Sequence, residues 1–351
     1  MKECAVIMAG GPGTRFWPVA RNSLAKQYLK IFGEKSLIQT AFERNSLAFG
    51  KENVFVCTNT EQTNSVINSI PIKKENFVIE PFRMDTAAAI GLSTEKIVQE
   101  FGDAVIAAVP SDHLIKDTEA YVRTIKKAVE IAKNSQDIVT IGIAPSYAAT
   151  ALGYIEIDNI ISENAWRVKM FREKPNRETA EEYITSGKFF WNAGMFIYRA
   201  EVLLEAIKKF LPSHFEALEK IGKANFEKNV LEKEFAKMEK ISIDYGVMEK
   251  ASNVSIVKAE FDWDDVGSWN AFERVIETDE EKNTVKGIFS AIESSGNIVY
   301  ADSGIVSCIG VKDMAIIKTS DAVLVCKKND VEKVKELVKE LEKKEETKKF
   351  V

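Results

Sequence analysis

Histidine and cysteine are scarce in this chain. Two histidines, His113 and His214, and four cysteines, Cys4, Cys57, Cys308 and Cys326, are scattered over 351 residues with no Cys-x-x-Cys pair. A zinc site of His and Cys would have to assemble from distant single residues, so zinc chemistry is not expected. The same scatter points to reduced, mostly buried thiols in a cytoplasmic protein rather than a disulfide framework. Eight Pro and 18 Gly are too few for a disordered or fibrous chain. No run of about 18 apolar residues is free of charge, so no membrane span is expected. The N-terminal apolar run carries one basic residue, Lys2, and stops at Gly10-Gly11, which reads as a strand and not a signal peptide. A basic excess is missing too: 48 Lys and Arg against 53 Asp and Glu give a net charge of −5. Nucleic acid is therefore not an expected partner, although a local basic pocket for a small anion is compatible with that balance.

What is present is an ordinary globular composition, 45% hydrophobic and 29% charged. The length suits two domains, or one large α/β domain with an appendix. Apolar runs at 5–9, 54–58, 77–80, 104–109 and 138–143 read as strands, and amphipathic stretches at 36–48, 86–101 and from an Asp117 cap through Asn134 read as helices. This alternation predicts a parallel sheet covered on both faces, with ligands at the carboxyl ends of its strands. Strands at 153–157, 167–171, 191–198 and 254–261, and helices at 178–186, 200–210 and 268–276, extend the same sheet. The polar stretch from Thr278 marks a boundary, so the expected domains are 1–278 and 279–351. Beyond it come short β segments at 287–292, 297–300, 305–309, 314–318 and 322–326. A helix follows with Val331, Val334, Leu337, Val338 and Leu341 on one stripe, and then a charged, frayed end at 343–349.

The segment richest in chemistry is Gly10-Gly11-Pro12-Gly13-Thr14-Arg15-Phe16-Trp17-Pro18, directly after the first strand. Glycines let backbone N–H groups approach phosphate oxygens, and Arg15 adds a forked donor. Lys26 can return a second positive charge to the same pocket. The spacing matches neither the P-loop nor the Gly-x-Gly-x-x-Gly dinucleotide turn. Alone, this segment could be only a tight strand-to-helix turn.

With these residues in view, the chain resembles the sugar-1-phosphate nucleotidylyltransferases and, within them, the mannose-1-phosphate guanylyltransferases. The likeness continues in order through Glu80-Pro81, Pro110-Ser111-Asp112-His113, Gly153-Tyr154-Ile155-Glu156, Phe171-Arg172-Glu173-Lys174-Pro175 and Trp191-Asn192-Ala193-Gly194. It closes with Ser242-Ile243-Asp244-Tyr245-Gly246 and Asp264-Asp265-Val266-Gly267. The resemblance implies a Rossmann-like α/β fold: a mixed, mostly parallel sheet flanked by helices, of the nucleotide-diphospho-sugar transferase type, with a small C-terminal β-rich domain ending in a helix. It implies GMP transfer from GTP to mannose 1-phosphate by metal-assisted in-line attack of the sugar phosphate on the α-phosphorus. The expected catalytic residues are Arg15, Lys26, Asp112 and Lys174. Gly10, Gly11, Gly13, Thr14, Arg15, Glu80 and Asp112 would bind the nucleotide, with Glu80 accepting guanine N1–H and N2–H₂. Gly153, Glu173, Lys174 and Asn192 would bind the sugar phosphate. Asp112 and Asp265 would hold Mg²⁺. A homodimer is the expected assembly, with neither nucleic acid nor membrane as partner. The same chemistry on another sugar phosphate or NTP, or a non-catalytic nucleotide-sugar-binding subunit, are the alternatives. The sequence departs from the family pattern at Ala25, where the family usually has Pro, at Asp85, where it has Asn, and at 148–152.

Overall fold

The computed structural model describes residues 1–11 and 13–351; Pro12, within the glycine-rich turn, lies outside the described residues. The strands are β1 Lys2–Met8, β2 Val54–Asn59, β3 Phe77–Glu80, β4 Ala104–Pro110, β5 Ile138–Ile143, β6 Gly153–Ser162, β7 Ala165–Glu173, β8 Phe189–Arg199 and β9 Val254–Lys258, followed by β10 Thr284–Ile292, β11 Ile298–Ile309, β12 Met314–Lys318 and β13 Val323–Lys327. The helices are α1 Leu37–Phe49, α2 Thr63–Ser69, α3 Asp85–Phe101, α4 Thr118–Asn134, α5 Arg177–Ser186, α6 Ala200–Phe210, α7 Pro212–Lys223, α8 Lys228–Phe235, α9 Phe272–Val275, α10 Val334–Glu342 and α11 Glu345–Lys348. Two compact units interleave along the chain. One comprises 1–10, 41–111 and 115–263; the other comprises 11–40, 112–114 and 264–351.

The first unit is built on a nine-stranded sheet in the order β3-β2-β1-β4-β8-β5-β9-β7-β6. β3, β2, β1 and β4 run parallel, as do β5 and β9, while β8 lies antiparallel between β4 and β5. The mixed, mostly one-directional sheet matches the expected fold class. Strands β2, β4 and β5 are apolar almost throughout because both of their faces are covered. Asp117 caps α4 by accepting from the Ala120 N–H at 2.9 Å, and Asn176 caps α5 through Thr179 N at 2.9 Å. A core of α3, α6 and α7 side chains, among them Leu92, Leu203, Ile207 and Leu218, packs with the Ile106 and Tyr198 side chains of β4 and β8. The strand expected at 254–261 stops at Lys258, since Phe261 turns inward onto Tyr121, ring centroids 5.4 Å apart. Helices α2, α7 and α8 were not expected. Pro212 in the first turn of α7 is the start signal that sequence reading passed over.

The second unit joins the glycine-rich segment to the C-terminal strands. β10, β11 and β12 are parallel, Thr284 lying beside Ile298 and Ile298 beside Ala315, while β13 returns antiparallel. The two segments expected at 297–300 and 305–309 are one strand. The rungs are tied at a corner, where Asn297 N and Nδ2 both donate to Asn283 Oδ1 at 3.0 Å, and Met314 N donates to Asn297 Oδ1 at 3.0 Å. The core holds Phe16, Trp17, Trp269 and Phe272 with Ile298, Ile317, Val331, Val334 and Val338. Trp269 packs at a tilt against Phe16 and Phe272, both centroids 5.1 Å away, and its Nε1 donates to Trp17 O at 3.1 Å. These demands break the expected helix 268–276 into a 3₁₀ turn at Trp269–Ala271 and the single turn α9. The chain end is not frayed as expected: Trp17 Nε1 donates to Phe350 O at 2.7 Å, and the Arg21 guanidinium bonds the same carbonyl. Among the described residues, no helix is long and apolar enough to cross a membrane.

Candidate active site

The residues singled out by sequence fall into one group in the second unit and two in the first. In the second unit, Gly13 opens a 3₁₀ turn, Thr14–Phe16, with φ of 65°. A Cβ there would lie 2.5 Å from Lys26 Cβ and 2.6 Å from Lys26 N, so the loop can lie on Lys26 only as glycine. Gln27 Nε2 donates to Gly11 O at 3.2 Å, tying the loop to the same segment. Lys26 is 5% exposed, and its Nζ lies 2.9 Å from Asp112 Oδ2 and 2.8 Å from the Asp265 carbonyl oxygen. Three remote segments thus meet at one ammonium.

Their electrostatics differ. Burial pushes the Asp112 carboxyl up, but the Lys26 ammonium, His113 and hydrogen bonds more than offset it, leaving Asp112 below its ordinary range. Burial pushes Asp265 up as well; Lys26 and Arg274 oppose this, Asp264 and Asp112 add to it, and Asp265 ends above its ordinary range. Arg274 clamps Asp264 at 2.5 and 2.8 Å. Val266, next to Asp265, has φ of 43°, a conformation that a β-branched residue adopts at a cost of about 1–3 kcal/mol. Arg15 is placed differently from its expected role: its Nε pairs with Glu332 at 3.1 Å on the exposed surface. The donor set at Asp112 and Asp265 consists of hard oxygens. No cluster of three His, Cys, Asp or Glu able to hold a metal occurs among the described residues. Two carboxylates suit Mg²⁺, which takes one or two carboxylates plus phosphate oxygens and water.

In the first unit, Glu80 ends β3 and is 5% exposed. Burial raises its carboxyl to a pKa of about 7, with Arg83 lowering it and Asp85 raising it. It lies against Gly10, whose added Cβ would sit 3.0 Å from Glu80 Oε1. Asp85 starts α3 with φ of 69°, a region Asn and Asp tolerate, and its Oδ1 accepts from Thr86 N at 2.8 Å. The departure from Asn thus keeps a side chain suited to that turn.

A second cluster in this unit gathers around Gly153. A Cβ on Gly153 would fall 2.0 Å from Glu173 Oε1 and 3.3 Å from Asn192 Cβ. Lys174 Nζ pairs with Glu173 Oε2 at 2.9 Å, and Lys174 itself has φ of 50°. Burial lowers the Lys174 pKa, but the bond to Glu173 and its charge dominate, and the net shift is upward. Lys174 N donates to Leu152 O at 3.2 Å, and Ala149 N to Tyr154 Oη at 3.0 Å, so the divergent 148–152 segment is tied down by its backbone. Asn192 Nδ2 donates to Asp244 Oδ1 at 2.9 Å. Asp244 was not among the expected site residues, although it stands in one of the blocks that carry the resemblance. Burial and the neighbouring Glu173 raise it to about 6, against the hydrogen bond from Asn192 and the Lys174 charge.

Comparison with known proteins bears on these groups. A family model described as nucleotidyl transferase matches residues 4–282, and one described as a MannoseP isomerase/GMP-like β-helix domain matches 289–341. Mannose-1-phosphate guanylyltransferase RfbM of Salmonella typhimurium is 34% identical over 346 residues, covering 96% of this chain and 72% of that protein. The crystal structure of mannose-1-phosphate geranyltransferase from Thermus thermophilus is similar at a TM-score of 0.88 and 35% identity, over 97% of this chain and all of that one. Mannose-6-phosphate isomerase from Helicobacter pylori is similar at 0.62 and 28% identity, over 75% of this chain and 99% of that one.

Proposed function

Because the chain belongs to the nucleotidyl transferase family, we propose that it transfers GMP from GTP to α-D-mannose 1-phosphate, giving GDP-mannose and pyrophosphate. The observation that carries this reading is the buried Lys26 ammonium, held by Asp112 and by the Asp265 carbonyl. The reaction joins two polyanions, so its barrier is largely charge repulsion and alignment, and fixed cations are the means to lower it. A sugar-phosphate oxygen attacks the α-phosphorus, the bond to the β-phosphate oxygen breaks, and pyrophosphate leaves with that electron pair. No covalent protein intermediate is needed. Lys26 would neutralise oxygens on the reacting phosphate, and Arg15, released from its exposed pair with Glu332, those on the leaving pyrophosphate. Gly10, Gly11, Gly13 and Thr14 would line the triphosphate with backbone. Asp112 and Asp265 would hold Mg²⁺, which supplies further neutralisation of phosphate oxygens. Glu80 would accept two hydrogen bonds from guanine, an edge that adenine and the pyrimidines lack. Lys174 would bind the phosphate of mannose 1-phosphate, with Glu173 and Asn192 on its hydroxyls and Gly153 leaving room for the ring.

The same reading takes 1–278 as the catalytic domain and 279–351 as its small companion. It places the enzyme in the cytoplasm, in keeping with four free thiols. It also takes the enzyme as a homodimer, for which the exposed apolar pairs Ile288–Ile305 and Ile292–Ile309 on β10 and β11 offer a surface. The isomerase named among the similar structures finds less support: only two histidines are present, and His214 is fully buried. The test is pyrophosphate release with Mg²⁺, scanned over four NTPs and several sugar 1-phosphates. Release with GTP and mannose 1-phosphate above all other pairs is expected. Release with a different pair overturns the assigned substrates, and release with none favours a binding subunit.

A further inference from the structure

Asn192 has its amide orientation fixed by its neighbours. Gly194 N, which can only donate, donates to Asn192 Oδ1 at 3.0 Å, and Thr140 Oγ1 donates to the same oxygen at 3.2 Å. Both lone-pair directions of that oxygen are therefore taken. The nitrogen faces Asp244 and gives one hydrogen to Asp244 Oδ1 at 2.9 Å. An amide nitrogen carries two hydrogens, so one remains to offer to a ligand. Asp244 in turn has a second oxygen, and as a carboxylate that oxygen can only accept. Glu173 and Lys174 of β7 and its end complete the charged surroundings of this pair. A single N–H donor beside a carboxylate acceptor fits a hydroxyl group: its oxygen takes the N–H and its proton goes to the carboxylate. A methylene satisfies neither group.

We propose that Asp244 is a specificity-determining residue for the sugar, pairing with Asn192 so that one sugar hydroxyl is read as acceptor and donor at once. The inference deepens the function proposed above and rests on it. It separates Asp244 from Asn192 in role: the amide presents only a donor, and the acceptor side of the recognition belongs to Asp244.

The experiment has two arms. In kinetics, Asp244→Asn raises KM for mannose 1-phosphate about 10- to 100-fold, the scale of one hydrogen bond to a charged group, with KM for GTP unchanged. A loss that falls equally on both substrates, or on neither, overturns the proposal. In calorimetry, GDP-mannose and its monodeoxy-mannose analogues are titrated into wild type and into Asp244→Asn. One analogue should bind wild type about 10- to 100-fold more weakly than GDP-mannose. The variant should bind both alike. Discrimination that survives in the variant, or wild type that distinguishes no deoxy analogue, overturns the proposal. A wild type that distinguishes no deoxy analogue overturns the proposal even if the variant does not fold. If wild type does not bind GDP-mannose at all, the assigned product is wrong; the same series on the nucleotide sugar it does bind then tests Asp244 separately.

Discussion

Glu80 supplies the sharpest quantitative expectation. If its carboxylate accepts two hydrogen bonds from guanine, only the ionised form binds. In the free protein, burial holds this carboxyl at about 7. A ligand that needs a minor protonation state sees its affinity reduced by the population of that state. GDP-mannose should therefore bind about tenfold more weakly at pH 6 than at pH 8, with a plateau above. The product is the right probe because its phosphodiester oxygens do not titrate in this range, unlike the terminal phosphate of GTP. Asp244, at about 6, also titrates there. The quantity to follow is thus the wild-type pH dependence divided by that of Glu80→Gln, measured by calorimetry. The variant should lose the Glu80 contribution and, with it, preference for GTP over ATP. A stability corollary checks the premise without ligand. The folded protein holds the Glu80 proton more tightly than the unfolded chain, whose value is 4.5. Its contribution to stability is therefore present below pH 4.5 and lost as pH rises through 7. Glu80→Gln should accordingly gain stability relative to wild type at pH 8, on the order of 3 kcal/mol at most, and little at pH 4. An identical pH dependence of binding in wild type and Glu80→Gln would refute the assignment of base recognition to this carboxylate.

Three other perturbations are informative. Asp112→Asn removes the charge facing the buried Lys26 ammonium and should lower kcat by at least about 100-fold; it also leaves that ammonium without its carboxylate, so the melting temperature should fall as well. An unaltered rate in the folded variant would remove Asp112 from the site. Gly153→Ala places a methyl 2.0 Å from Glu173 Oε1. It should raise KM for mannose 1-phosphate at least about tenfold without changing GTP binding, and an unchanged KM would show that the ring does not lie there. Ala25 has φ of −71° and ψ of 161°, which proline adopts without strain, and its N–H donates to no backbone group among the described residues. Ala25→Pro should therefore stabilise the protein by about 0.4–1 kcal/mol, measured by denaturant unfolding. A loss of stability would mean that the segment holding Lys26 needs the freedom that alanine allows.

How much of this was legible in the sequence follows from the range of the interactions. The strands at 54–59, 77–80, 104–110 and 138–143 could be located because burial on both faces leaves an unbroken apolar run. Helix α4 could be located because its cap is local: Asp117 reaches a backbone group only three residues away. The helix at 268–276 failed because helical periodicity there competes with Trp269 and Phe272, whose partners Phe16 and Tyr300 lie far off in the chain. The meeting of Lys26, Asp112 and Asp265 belongs to the same non-local class. Their places after predicted strands already grouped the glycine-rich turn, and Lys26 with it, with Asp112; only the resemblance of separate blocks to one family added Asp265. The Arg15–Glu332 pair and the Asn192–Asp244 hydrogen bond were not legible, since neither a lone arginine nor one aspartate in a motif reveals what its side chain touches.

The opening signature takes on a second meaning in the same light. Gly-Gly-x-Gly-x-Arg-Phe-Trp-Pro reads as a phosphate loop, but its residues do two kinds of work. Gly13 lets the loop lie on Lys26. Phe16 and Trp17 instead anchor it in a core shared with Ile298, Ile317, Val334 and Val338. That core crosses the boundary drawn at residue 278, so a division that follows the sequence cuts through the packing that holds the loop. Fixed cations help phosphoryl transfer only if they need no reorganisation during the reaction. A glycine-rich segment has little rigidity of its own. Under the proposed function, the C-terminal strands and α10 would therefore bear on catalysis without contributing a catalytic side chain. They immobilise the aromatic end of the loop, and through it the backbone lying against the buried lysine.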